Sequence, residues 1–344
     1  MIYYLLPIFF LSAIGFFNIL GIRQDIAANQ FFFLLAGFAA FFFVRKIGRN
    51  FFITNATFFY WLFLAILIAT YIIGLEVKGS RRWIDLYFFN FQASEVFKAF
   101  YILFLAQYLI RDYKFVNPFL LFLKALFYFV IPSLIIFKQP DLGNASVYFF
   151  IFITLILFSE LPKKYLLYFF LILLLTLPLG WGLMKDYQKD RITSFFNPHI
   201  DTQGTAYNMN QAIITVGSGK FMGRGLGLGT QSRLSFLPEN HTDFAYSSLV
   251  EQFGFVGGIT TLILYGAVIF YLIKKQITYF FLRDRRDKVT FLYITGFLSY
   301  FVFQILINIG MNLGLFPITG IALPFISYGG SSFVALMIGF ALIP

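Results

Sequence analysis

Runs of apolar residues long enough to cross a lipid bilayer follow one another through most of this chain, and no other feature restricts its fold as tightly. A hydrocarbon core of ~30 Å needs about 20 apolar residues in an α-helix. Such runs fall at about 2–20, 30–44, 52–74, 95–110, 119–137, 143–159, 165–183, 244–273, 289–312 and 321–343. They are continuous, unlike the alternating ten-residue segments of a membrane β-barrel. Charged residues are 12% of the 344, against about a quarter in soluble domains. The pattern predicts an all-α integral membrane protein with about ten transmembrane helices, one polytopic membrane domain over residues 1–344. The first run lacks a basic start and reads as a retained helix, not a cleaved signal. The second and sixth runs are short enough to be tilted or partly re-entrant. No internal repeat stands out, which disfavours transporters built from two similar halves.

The formal net charge of +11 would point to nucleic acid in a soluble protein. In a membrane chain, Lys and Arg instead sit in cytoplasmic loops and hold the topology, so no nucleic-acid partner is expected. One alternate set of loops holds Arg45, Lys46 and Arg49, then Arg111 and Lys114, then Lys163 and Lys164. Its last member carries Lys274, Lys275, Arg283, Arg285, Arg286 and Lys288. Among its short loops the other set has Arg23, then Lys78, Arg81 and Arg82, then Lys138, and none between 313 and 320. The denser set faces the cytoplasm, which makes both termini cytoplasmic. Two long external segments follow, 76–94 and a large loop at 185–243 between helices 7 and 8. Its length marks it as functional, and any chemistry there faces away from ATP. The absence of cysteine excludes disulfides and thiol catalysis.

The stretch Leu237-Pro238-Glu239-Asn240-His241-Thr242-Asp243-Phe244 places acid, imidazole and hydroxyl groups at the edge of hydrocarbon, where ionisable groups are costly. Thr242 or Asp243 can cap the helix that starts at Phe244. Asp243 can equally serve as a catalytic carboxylate, and the residues alone leave both readings open. Glu251, about two turns deeper, must pair or line a wet cavity. Upstream, Gly217-Ser218-Gly219-Lys220 lacks the spacing of a phosphate loop. The run Gly223–Gly229 suits either tight turning beneath a ligand or a plain flexible loop. His199 and His241 are the only histidines, so a multi-histidine metal site is impossible. A hard cation held by one carboxylate and substrate phosphate stays open.

In the other external segment, Trp83 fits an interfacial anchor, and Arg81 and Arg82 fit phosphate ligands. Glu95 and Lys98 stand three apart at a helix start and can pair with each other. Gln304, Asn308 and Asn312 form a polar stripe at four-residue spacing, which favours hydrogen bonding between helices over substrate contact. The run Leu323–Ser332, with Ser327 and Ser331, cannot be a regular lipid-facing helix and must be buried or line a cavity.

These residues together closely resemble the SEDS family (shape, elongation, division and sporulation) of peptidoglycan glycosyltransferases. The matching elements are Arg81-Arg82-Trp83-Ile84, Gln92 with Ser94-Glu95 and Lys98, and Gln139-Pro140-Asp141-Leu142-Gly143. Asn197-Pro198, the Gly223–Gly229 run, Leu237-Pro238-Glu239 and His241-Thr242-Asp243-Phe244 follow in order. Asn308-Ile309-Gly310-Met311 and Pro317-Ile318-Thr319-Gly320 precede the Leu323–Ser332 run. Departures are Ala93 for a usual proline, Gln252 for the second acid of a usual pair, and Asn240 for alanine. The chain also stops at Pro344, short of a basic tail that many members carry.

The resemblance implies polymerisation of lipid II into glycan strands at the outer face of the bacterial cytoplasmic membrane. It makes Asp243 the catalytic general base and places Trp83 in an essential external site. Arg81, Arg82, Glu95, Lys98, Arg224, Arg233, His241, Glu251, Asn308, Ser327 and Ser331 are the accompanying substrate-binding candidates. No organic cofactor is implied; a divalent cation such as Mg2+ or Mn2+ is compatible. The implied partners are a class B penicillin-binding protein, which is a transpeptidase, and other elongation-complex membrane proteins. A first span beginning at Ile2 favours the rod-type elongation branch over the division branch. The rival reading is a lipid II flippase using Lys98, Lys124, Glu251 and Asn308 as a headgroup path. A non-enzymatic scaffold ranks last, because it leaves the acid-rich outer loop without a purpose.

Overall fold

Inside hydrocarbon no water is available to backbone N–H and C=O groups, so a chain this apolar satisfies them along helices. The computed structural model describes residues 2–77, 80–86, 89–112, 117–184, 186–196, 205–234, 236–282 and 284–344. Lys78, Gly79, Lys114, Lys185, Asn197-Pro198, His199, Asp201 and Arg283 lie outside the described residues. The helices are α1 (Ile2–Ile22), α2 (Gln24–Ile47), α3 (Arg49–Thr54), α4 (Ala56–Ile73), α5 (Ala93–Asp112), α6 (Pro118–Lys138) and α7 (Leu142–Phe158). They continue as α8 (Lys164–Leu183), α9 (Asp186–Phe196), α10 (Thr205–Ser218), α11 (Thr230–Arg233), α12 (Ala245–Phe280), α13 (Arg285–Asn312) and α14 (Gly330–Ala341). Seven are long and apolar enough to cross a membrane. Three shorter apolar helices, Leu142–Phe158, Lys164–Thr176 and Gly330–Ala341, fall at the remaining expected spans.

The structure adds a small antiparallel sheet, β1 (Leu75–Val77), β2 (Ser80–Asp85) and β3 (Asn90–Phe91), in the order β1-β2-β3. The expected last span also starts late, because residues 321–329 are not helical. The chain divides into two compact units. One comprises Met1–Phe33, Leu177–Tyr271 and Gln304–Gly329; the other comprises Leu34–Thr176, Leu272–Phe303 and Gly330–Pro344.

The second unit is built around α5. This helix is 83% buried over Ala93–Ile110, the highest share among the seven long spans. Protein rather than lipid surrounds it, and so it tolerates Glu95 and Lys98. Its neighbours dock through rings: Phe59 stacks on Phe100 at 4.9 Å and Tyr60 on Phe104 at 4.3 Å. Tyr60 and Tyr293 reach backbone carbonyls of Tyr128 and Gly339 at 2.8 and 2.9 Å, so their buried hydroxyls are satisfied. Small residues permit close packing between helices, as at Gly296 against Ile102 and Leu155.

The first unit contains a break that sets the rest. Within α12, Gly254 has φ 70 and ψ −169, which interrupts the ladder of i to i−4 bonds. Phe255 and Val256 lose their own acceptors, and Glu251 and Gln252 lose their donors. The loop after α10 gives each of these four groups a new partner. Phe255 N donates to the carbonyl of Lys220 (2.9 Å) and Val256 N to that of Phe221 (3.2 Å). Arg224 N and Gly225 N donate to the carbonyls of Glu251 and Gln252 at 2.9 and 3.0 Å. The two backbones meet at Gly223 and Gly254, where a Cβ on either would lie 2.2 Å from a backbone atom of the facing strand of chain.

Gly254→Ala therefore combines a left-handed backbone with a collision against main chain. We expect a loss of roughly 2 kcal/mol or more. Heating the purified protein in detergent, followed by size-exclusion chromatography, should show earlier loss of the monodisperse peak than for Gly266→Ala, where a Cβ meets nothing within 4 Å.

Candidate functional site

The turn 237–244 is pinned at both ends by burial. Leu237 and Phe244 join Met209, Ala212, Met311 and Ile318 in one apolar cluster. Between them the backbone folds tightly: Thr242 N and Phe244 N both donate to the Glu239 carbonyl, at 3.2 and 3.1 Å. Thr242 Oγ1 adds a bond to Glu239 Oε2 at 2.9 Å. Asn240 is buried and donates to the Ser232 carbonyl, while its own carbonyl accepts from Ser248 Oγ at 2.9 Å.

Three consecutive carbonyls of this turn are then held by residues 308–328. His241 O accepts from Tyr328 N (2.8 Å), and Thr242 O from Ser327 Oγ (2.6 Å). Asp243 O accepts from Asn308 Nδ2 (3.0 Å) and Asn312 Nδ2 (3.1 Å). Asn312 Oδ1 in turn accepts from Ser247 N and Oγ, at 3.0 and 2.6 Å. The polar stripe thus bonds between helices, at about 0.6 kcal/mol for an average membrane hydrogen bond. Four such bonds offset about one or two residues' worth of backbone ordering. Their effect is to fix where the half-buried Asp243 stands.

The same point of the structure is bordered by Arg191, which no sequence motif singled out. A Cβ on Gly320 would lie 3.7 Å from Asp243 Oδ2 and 3.9 Å from Arg191 Nη1. The two groups therefore border the same point. Arg191, on α9, also donates to the Ile318 carbonyl at 3.3 Å. His241 sets its ring against Tyr328, with centroids 5.8 Å apart, and its Nδ1 lies 3.2 Å from Asn240 Oδ1.

Glu251 is 0% exposed, and its carboxylate organises the loop. Oε1 accepts from Gln231 N (2.9 Å) and Ser218 Oγ (3.3 Å). Oε2 accepts from Ser232 N (2.9 Å) and Ser232 Oγ (2.6 Å). The adjacent Gln252 uses both ends of its amide, donating to Asn18 Oδ1 (2.7 Å) and accepting from Gly227 N (2.9 Å). A carboxylate there would lack the donor that Asn18 receives, which accounts for an amide at this position. Arg224 Nε donates to Ser218 O (3.3 Å) and Arg233 Nη1 to Gly227 O (3.0 Å); both side chains are exposed. The glycine-rich run is thus a braced loop.

The remaining candidates lie in the second unit. Arg81 is exposed and pairs with Glu76 at 3.0 Å. Arg82 and Trp83 are half-buried on β2. Arg82 donates to the carbonyls of Gln139 and Pro140 and stands 3.8 Å from Asp141, which caps α7 through Asn144 N. Ser331 Oγ links Gln92 N and Asn90 O, at 2.9 Å each. Lys98, 0% exposed, pairs with Glu95 Oε1 at 2.6 Å and lies 5.0 Å from the Tyr300 ring centre. Glu95 Oε2 is buried without a hydrogen-bond partner among the described residues, so it can accept from a ligand or water. Among the described residues no three His, Cys, Asp or Glu side chains form a cation cluster. A cation at Asp243 would need substrate phosphate and water as its other ligands, which Mg2+ accepts.

The profile of the FtsW/RodA/SpoVE cell cycle proteins matches residues 1–344. The probable peptidoglycan glycosyltransferase FtsW of Acinetobacter baylyi is 36% identical over 304 residues, covering 84% of this chain and 71% of its own. The peptidoglycan glycosyltransferase MrdB of Helicobacter pylori is 33% identical over 360 residues, covering 98% and 88%. A chain in the solved structure of a peptidoglycan synthase complex, concerned with the coordination of polymerization and crosslinking, superposes with a TM-score of 0.82 at 26% identity over 98% of this chain and 95% of that one. With a family match from end to end and a common fold, this membrane protein belongs to the SEDS family of peptidoglycan glycosyltransferases.

Proposed function

We propose that the chain polymerises lipid II at the outer face of the bacterial cytoplasmic membrane, with Asp243 as general base. The observation that carries this reading is the clamp on the carbonyls of His241, Thr242 and Asp243, which fixes a half-buried carboxylate beside a guanidinium. The 4-hydroxyl of an acceptor sugar attacks the anomeric carbon of the donor strand. Its proton passes to Asp243, and the bond from that carbon to the lipid diphosphate breaks with the electron pair leaving on oxygen. A positioned base contributes typically ~10²–10⁴-fold. In the first unit the exposed Arg224 and Arg233 are the cationic groups proposed to meet diphosphate; the half-buried Arg82 of the second unit is a separate phosphate-binding candidate. A divalent cation, Mg2+ or Mn2+, is proposed to share that charge, and polymerisation should then fall on chelation. The density of Lys and Arg in alternate loops supports cytoplasmic termini and an outward-facing site. A role in cell elongation belongs to the same proposal; relatives named FtsW and relatives named MrdB match the chain at comparable identity.

Asp243→Asn tests the base directly. The amide keeps size and helix-capping ability but removes the proton acceptor. We expect polymerisation of lipid II, read as glycan chains on a gel, to fall by ~10²–10⁴-fold, equal to about 3–5.5 kcal/mol of barrier. Lipid II binding and detergent stability should be retained. A variant that still polymerised lipid II would remove Asp243 from the mechanism as its base.

Trp83→Ala and Arg82→Ala should each reduce chain synthesis without loss of membrane insertion, since a ring and a planar cation suit a sugar diphosphate. Normal synthesis by both would reduce the segment to a topological anchor.

A class B penicillin-binding protein is the proposed partner, by the likeness to a synthase complex. Co-purification with such a transpeptidase and faster polymerisation in the mixture are expected. Failure to associate in both detergent and nanodiscs would count against the pairing.

A further inference from the structure

The loop that repairs the break in α12 carries an apolar tip. Phe221 and Met222 are 61% and 74% exposed, and exposed Lys220 and Arg224 stand on either side of them. Leaving such surface in water forfeits ~25 cal/mol for every Å². The tip is also held in place. Its carbonyls bond to the N–H groups of Phe255 and Val256, and the Phe221 ring stacks on Phe255 at 6.1 Å and 24°. Phe255 begins a stripe of exposed apolar residues that continues through Ile259, Leu262, Ile263 and Phe270 at helical spacing. On a helix that crosses the membrane, that stripe meets acyl chains. Residues 254–273 contain no charged group and end at Lys274-Lys275. Twenty residues at ~1.5 Å each make about 30 Å, the thickness of the hydrocarbon core. Gly254 therefore falls at the opposite boundary, and the tip of the loop falls with it.

We propose that Phe221 and Met222 insert among phospholipid acyl chains at the level of the α12 break, with Lys220 and Arg224 at headgroup level on either side. Basic groups flanking an apolar wedge are the pattern of an interfacial anchor, because the cations extend back to the headgroups while the apolar atoms leave water. The anchored loop is bonded through Glu251 and Gln252 to the helix that follows Asp243, so it sets the height of that residue against a lipid-borne substrate. The purpose of the anchor rests on the polymerase reading, and its leaflet on the orientation given above; insertion itself depends on neither.

The chain has no cysteine, so Met222→Cys gives the full-length protein a single labelling site at an exposed position. A spin label there is to be examined in nanodiscs of phosphatidylethanolamine and phosphatidylglycerol. It should collide with dissolved oxygen more than with an aqueous nickel chelate, as a label at Ile263→Cys does, while one at Lys220→Cys shifts toward nickel. Nickel dominance at Met222 would place the tip in water and overturn the proposal. Protection from both reagents would overturn it too, by placing protein over the tip. A labelled protein that polymerises lipid II and is nickel-exposed refutes insertion alone. An active Asp243→Asn enzyme refutes the base and leaves insertion standing.

Discussion

A backbone group in lipid has to find its partner within the protein, and the break at Gly254 shows how much structure that demand can organise. Four main-chain groups freed by one glycine are taken up by residues 220–225, which fixes the glycine-rich loop against α12. Glu251 then receives four hydrogen bonds, one from Ser218 at the end of α10 and three from α11. Helix α11 leads to the turn that bears Asp243. Position is thus handed along the chain by main-chain bonding, with side chains adding to it at each step.

The same demand explains residues 321–329. A non-helical segment this buried needs partners other than a helix ladder, and it has them in Asn308 for the Ile321 carbonyl, its own Ser327 Oγ for Leu323 N and Tyr265 for the Pro324 carbonyl. Gly15 of α1 lets the segment approach, since a Cβ there would lie 2.7 Å from the Phe325 carbonyl. The segment then repays the turn, through Tyr328 N and Ser327 Oγ, with bonds to the carbonyls of His241 and Thr242.

Features that depend on local spacing were legible in the sequence. The apolar runs gave the helices to within a few residues at most ends, and the three-residue spacing of Glu95 and Lys98 gave their pairing. The interhelical role of Asn308 and Asn312 followed from their spacing, and the irregular start of the last span followed from its glycines and serines. What was not legible depends on contacts distant in sequence. Arg191 stands 52 positions before Asp243, and no local pattern shows that both border Gly320. The 245–280 run reads as one helix because a single glycine barely disturbs its hydropathy, so neither the break nor its repair by the loop could be inferred. The sheet at 75–91 escaped notice because its strands are two to six residues long.

Asp243 and Glu251 show how one stretch of chain holds two acids by different atoms. They stand eight residues apart on either side of the start of α12. Glu251 is 0% exposed, and its two oxygens accept four bonds from backbone and hydroxyl donors that have no water to turn to. In Asp243 the clamping falls on the main-chain carbonyl, through Asn308 and Asn312, and the side chain is only half-buried. Fixing the backbone sets where that carboxylate stands, and a defined position is the first requirement of the general base proposed there.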